Sequence, residues 1–199
     1  SWPQTWDHMA AVLRGLGSTL PQKPDAIVVV SGHWEEQAVT LTSGAAPELI
    51  YDYYGFPPHT YKLQYPAPGS PDMARHIRTL LHNAGIASTN NAQRGFDHGV
   101  FIPFMLAFPQ ADIPVVELSL LHSLDPAEHL AIGAALAPLR AQNVPILCTG
   151  LCPPNLRPFM NGSPLPDHPA LPFAVWFTSP PCALPPDPNH HQLHSSHTP

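Results

Sequence analysis

Residues Ala26–Trp34 read Ala-Ile-Val-Val-Val-Ser-Gly-His-Trp. The apolar run Ile27–Val30, three of its residues β-branched valines, predicts a strand buried on both faces. The run breaks at Ser31-Gly32-His33, where a glycine permits a sharp turn and sets His33 just beyond the strand's carboxyl end. Ligands and catalytic groups of open α/β sheets collect at that edge, because loops converge there without disturbing the core. His33 is therefore the first candidate site residue, against the plainer alternative of a polar loop histidine.

Outward from this strand the chain alternates. Trp6, Met9, Leu13 and Leu16 fall at helical spacing, with Gly17 as the expected C-cap. Ala38–Leu41 reads as a short strand. Tyr51–Pro58 is too aromatic for a solvated loop and too rich in breakers for a helix, so it either walls a pocket or caps the core. Ser70-Pro71 is a helix start, followed by the stripe Met73, Ile77, Leu80 and Leu81 and closed by Gly85. Ile86–Asn90 reads as a strand, Phe101–Phe108 as an apolar helix and Ile113–Leu120 as a buried strand. Asp125-Pro126-Ala127-Glu128 opens a helix expected to run through Leu130, Ile132, Leu136 and Leu139 to Arg140, and Val144–Thr149 is the last strand. Strands without alternation, separated by helices, imply an α/β fold with a largely parallel sheet covered on its faces.

Composition narrows the possibilities. The 199 residues suffice for one domain with a proper core. Net charge is -6, which argues against a nucleic-acid surface, and no apolar run approaches the roughly 20 residues of a membrane span. No charged-then-apolar leader follows Ser1, so no secretory signal is expected, and the start resembles the interior of a longer chain. Three cysteines, an odd number, make no disulfide framework and point to a reducing cytoplasm. The abnormal counts are 28 Pro and 13 His, concentrated toward the C-terminus. Residues 1–160 are expected to form the domain, and 161–199 a Pro/His-rich, irregular or disordered tail unable to offset its ordering entropy.

Three polar nodes follow strand ends or open helices: Ser31-Gly32-His33, Asp97-His98-Gly99, and Thr149-Gly150 with Asn155 beyond. A parallel fold brings them to one sheet edge, where an imidazole suits zinc or ferrous iron and a second histidine serves as acid or base near neutral pH. There is no HExxH, paired CxxC, phosphate loop or nucleophile elbow. Cys148 and Cys152 read as buried small residues, His129 as a partly exposed helical residue and Glu35-Glu36 as solvated acids. The tail histidines, His190 to His197, read as adventitious metal binders.

Several motifs in order resemble the class III extradiol ring-cleavage dioxygenases, in the 4,5-DOPA extradiol dioxygenase branch. They are Ile27–Trp34, Tyr53-Tyr54-Gly55-Phe56-Pro57, Tyr65-Pro66-Ala67-Pro68-Gly69, Gly95-Phe96-Asp97-His98-Gly99, Ala111–Val116 and Asn155-Leu156-Arg157. The resemblance covers most of residues 2–160. It implies a three-layer α/β sandwich around one metal, Fe(II) for activity with Zn(II) as the alternative bound metal. It also implies a catechol and O2 as the small-molecule partners, His33 as a metal ligand and His98 as the catalytic histidine handling protons beside it.

The chain departs from the family at both ends. The family carries a further metal histidine on a strand upstream of where this sequence starts, so the fold is expected to be truncated with an exposed sheet edge. Pro154 stands where the family has an acid–base histidine before Asn-Leu-Arg, and the tail replaces the segment bearing another ligand, with no motif match that marks His168 or a tail histidine as its substitute. Two functions follow: an iron-dependent dioxygenase opening a catechol, or a catalytically inactive remnant acting as a zinc-binding or interaction module. A metal-dependent hydrolase is disfavoured by the lack of a carboxylate-rich cluster.

Overall fold

A computed structural model describes residues 7–150, all within one compact unit, Ser1–Gly150. The expected boundary at residue 160 and the tail lie outside the described residues, as do Cys152, Pro154, Asn155, His168 and the tail histidines.

The elements are α1 (Asp7–Thr19), β1 (Ile27–Glu36), β2 (Val39–Thr42), α2 (Pro71–Asn83), β3 (Ser88–Asn91), α3 (His98–Ala107), β4 (Val115–Leu121), α4 (Pro126–Leu136) and β5 (Ile146–Thr149). Short 3₁₀ segments occupy Pro58–Lys62 and Ala137–Gln142. The sheet order is β3-β2-β4-β1-β5. Pairings β1–β4, β1–β5 and β2–β3 are parallel, whereas β2 meets β4 antiparallel. The reversal has a local cause: only Gln37 and Ala38 separate β1 from β2, far too few residues for a parallel crossover.

Helices cover both faces. Side-chain alternation sends Val28, Val116 and Leu118 to one side, where they pack with Ala74, Ile77 and Leu81 of α2 and Ile132 and Leu136 of α4. Ile27, Val29 and Val115 go to the other, against Phe101 and Phe104 of α3. The α/β sandwich read from Ile27–Val30 is therefore what forms, and Ile27, Val28 and Val29 are fully buried. The start signals act as read. Ser70 accepts the Met73 N–H at 3.2 Å, and Asp125 Oδ1 accepts those of Ala127 and Glu128 at 2.7 and 3.1 Å.

Four expectations are corrected. Gly17 does not cap α1 but lies inside it, where a Cβ would stand 3.2 Å from the Ala107 carbonyl oxygen; the glycine lets α1 approach α3. The α4 helix tightens to a 3₁₀ turn at Ala137 because Pro138 brings no N–H to continue the ladder, and Leu130 faces solvent instead of joining the buried stripe. Cys148 is exposed on β5, an outer strand among the described residues, rather than buried. Finally, β1 does not stop at Ser31 but continues to Glu36 through a bulge. Val30 pairs with Leu118 and Glu35 with Leu120, so β1 spends five residues where β4 spends two.

Candidate metal centre

That bulge builds the site. Residues Ser31–Trp34 leave the ladder with β4; Trp34 turns inward and is buried, and His33 turns outward. Ser31 still pairs with Thr149 of β5, so the first and third polar nodes meet at one sheet edge, with Asn155 outside the described residues.

The second node arrives through α3. Asp97 is its N-cap, with Oδ1 accepting the Gly99 N–H at 2.9 Å, and His98 is the first helical residue. The helix start lies directly against the bulge. A Cβ on Gly99 would stand 2.7 Å from Ser31 Oγ and 2.9 Å from His33 Cδ2, so glycine is what this approach requires. The rings of His33 and His98 consequently lie 4.0 Å apart, centroid to centroid, tilted by 38°.

A third group completes the cluster. The chain at Glu48–Ile50 pairs with Phe96 through reciprocal bonds, Phe96 N–H to the Glu48 carbonyl and Ile50 N–H to the Phe96 carbonyl, both 2.8 Å. This fixes Asp52 beside the helix start. Asp52 Oδ1 accepts the His98 backbone N–H at 3.0 Å and faces His98 Nδ1 at 2.8 Å. One ligand atom each from His33, Asp52 and His98 lies within 4.8 Å of the others. An imidazole from His33 and a carboxylate from Asp52 are donors suited to a borderline divalent ion such as Fe(II) or Zn(II), with His98 held beside them by its bond to Asp52, so the residues present fit a metal.

Electrostatics favour metal-ready protonation. Partial burial, then the neighbouring His98, holds the His33 pKa below its ordinary value, which keeps its imidazole neutral at neutral pH. Burial alone would raise Asp52, but the backbone and ring bonds from His98 more than reverse it, so the carboxyl ends below its usual range. Tyr53 packs edge-on against His98 at 5.8 Å, and Tyr51 and Tyr53 both lean on Phe101 of the core. The aromatic stretch thus caps the core and borders the site with the same residues, while Tyr54 and Phe56 project into solvent.

Sequence reading placed His33 and His98 together but passed over Asp52, hidden between two tyrosines. It also passed over Glu117, a fully buried carboxyl in the middle of an apolar strand. The available signal was the strand itself, because a lone acid on a strand buried on both faces must be partnered or neutral. Glu35 and Glu36 are not at the site; they bond His122 Nδ1 and Trp34 Nε1. His129 caps its own surroundings, accepting the Leu121 N–H on Nε2.

Residues 4–161 match the model of a family described as the catalytic LigB subunit of aromatic ring-opening dioxygenase. The chain is 45% identical over 141 residues to dioxygenase tasH of Hapsidospora irregularis, covering 70% of this chain and 44% of that protein. It is 41% identical over 159 residues to a 4,5-DOPA dioxygenase extradiol of Beta vulgaris, covering 79% and 58%. A protein of the same description from Escherichia coli is 41% identical over 142 residues, covering 71% and 52%. A crystal structure of an uncharacterized Escherichia coli K12 protein superposes with a TM-score of 0.61 at 37% identity, covering 74% of this chain and 55% of that one. The chain spans about half the length of these relatives. The ordered motifs, the sandwich and the matched span together place it: the chain belongs to the LigB family of aromatic ring-opening dioxygenases, on the branch of the 4,5-DOPA extradiol enzymes.

Proposed function

We propose that this chain acts as an extradiol dioxygenase of the DOPA dioxygenase type, inserting both atoms of O2 into a catechol at a non-haem Fe(II) site. The observation that carries this is the convergence of His33, Asp52 and His98, with ligand atoms within 4.8 Å, in a chain of this family. Fe(II), when bound, supplies Lewis acidity toward the catechol oxygens and the redox capacity to engage O2; Zn(II) would suit the same donors without redox chemistry.

The protein's own residues divide the remaining work. His33 offers a neutral imidazole as metal ligand, and its place on a strand bulge holds the ring at the sheet edge. Asp52 stays ionised and accepts from Nδ1 of His98, which sets the tautomer and leaves Nε2 to take a proton from a catechol hydroxyl and return it later. The Tyr53 ring flanks His98 and offers an aromatic edge to a flat substrate. Burial raises the Tyr53 phenol, so it stays neutral and keeps its bond to the Thr60 carbonyl. No helix among the described residues is long and apolar enough to cross a membrane. We place the enzyme in the cytoplasm, where a reducing medium preserves both Fe(II) and free thiols.

The test is oxygen uptake with L-DOPA after anaerobic loading of the full chain with Fe(II), beside His33→Ala. Uptake with a yellow, ring-opened product, lost in the variant, is the expected result. A folded, iron-loaded protein that consumes no oxygen would overturn the proposal and leave a zinc-binding module as the better description.

A further inference from the structure

The two site histidines are not bonded to each other, yet their neighbours converge on one buried carboxylate. Asp97 Oδ1 accepts the Gly99 N–H and the Ser31 hydroxyl, both at 2.9 Å, and Ser31 Oγ in turn accepts the His33 backbone N–H at 3.2 Å. Residues flanking both histidines are thus tied to a single oxygen. Asp97 Oδ2 receives Arg94 Nη2 at 3.1 Å, and the Arg94 guanidinium lies 4.1 Å from the centre of the Trp34 ring, immediately after His33.

Behind Asp97 stands Glu117, from the centre of β4. It shares a sheet face with Val115, the face covered by α3. Its Oε2 accepts the Asp97 backbone N–H at 3.4 Å and its Oε1 lies 3.5 Å from Arg94 Nη2. Both carboxyl side chains are essentially inaccessible, and Arg94 is their only cationic partner among the described residues. One guanidinium neutralises one carboxylate. Burial, then the neighbouring Asp97, pushes Glu117 up to about 9.

We propose that Glu117, acting through Asp97 and Arg94, is the positioning residue that sets the spacing of His33 and His98. This rests on the site assigned above, but its test does not require that site to be active. Neither Glu117 nor Asp97 belongs to the ligand cluster; each acts through the backbone and hydroxyl bonds that hold the histidines.

The experiment compares Glu117→Gln, Glu117→Leu and Ser31→Ala in the full chain with two readouts. One is the nuclear Overhauser effect between the His33 and His98 rings in metal-free protein; the other is Co(II) affinity by titration. Glu117→Gln, neutral and of the same shape, is expected to keep both. Glu117→Leu and Ser31→Ala are expected to lose the inter-ring effect and to weaken Co(II) binding by about tenfold or more. If Glu117→Leu does not fold, Ser31→Ala decides, since it removes one link and leaves the acid in place. An inter-ring effect unchanged in Ser31→Ala, or a Gln variant as damaged as the Leu variant, overturns the proposal. Failure of the site itself looks different: the wild type then binds Co(II) no better than His33→Ala, while the ring spacing still reports on Glu117.

Discussion

The two faces of the central sheet are built from different materials. On the face under α2 and α4 the buried core is wholly aliphatic, with Val28, Leu41, Val116 and Leu118 meeting Ile77, Leu81, Ile132 and Leu136. On the face under α3 it is rich in aromatics, with Tyr65, Phe96, Phe101, Phe104 and Phe108, and the carboxyl side chains of Asp97 and Glu117 are buried at its margin. The same strands serve both, because alternation lets β4 give Val116 to one side and Glu117 to the other. One face supplies packing free energy; the other spends some of it on buried polar groups that hold a site.

This contrast can be broken experimentally. The largest expected effect is on the chemical face: His33→Ala should abolish specific Co(II) binding, while its exposure keeps the change in stability within about 0.5 kcal/mol by urea denaturation. A variant that binds Co(II) as the wild type does would remove His33 from the site. On the aliphatic face, Leu81→Ala should cost about 2–5 kcal/mol in the same assay and leave the Co(II) affinity of the folded protein unchanged. Parallel loss of affinity would mean that the two faces are not separable.

Gly99→Ala should hurt both properties. Its added methyl must displace Ser31, His33 or Asp97, at about 1–3 kcal/mol, and the His33–His98 spacing should open. Glu117 sharpens the contrast through pH. Its folded pKa, about 9, lies above its ordinary 4.5, so the native state holds a proton that the unfolded chain has released between those values. Stability from this group is therefore full below 4.5 and declines as pH rises toward 9, at no more than about 1.4 kcal/mol per pH unit. Glu117→Gln should flatten that slope in urea titrations from pH 5 to 8 (roughly the middle of the window). A variant with the wild-type slope would show that Glu117 is ionised in the folded protein. The smallest effect is at the cap of α4, where Asp125→Ala should cost about 1 kcal/mol and leave metal binding untouched.

Local signals were the most legible. Ser70-Pro71 and Asp125-Pro126 start helices where they stand, since capping needs only a side-chain oxygen and the next few N–H groups. His33 and His98 stand out as candidates because each sits beside glycine after a strand or before a helix. Asp52 was not, because nothing local distinguishes it; it matters only because Glu48–Ile50 pairs with Phe96. Pro138 stands in the sequence, but apolar spacing alone extends the expected helix through Leu139, and the exposure of Cys148 on β5 depends on strand order, which no local signal carries.

What the sequence determined by itself is the class of fold, and it marked His33 and His98 as candidates. A run such as Ile27–Val30 is unstable unless both faces are covered, and covering both with helices leaves few architectures. What only the tertiary structure decided is the site's completion: the bulge that turns His33 out, the carboxylate of Asp52, and the Asp97–Arg94–Glu117 cluster behind them. Hydrophobic patterning is a property of neighbours along the chain, whereas these contacts join residues dozens of positions apart. Their geometry and charge state exist only once the low-dielectric interior has formed around them.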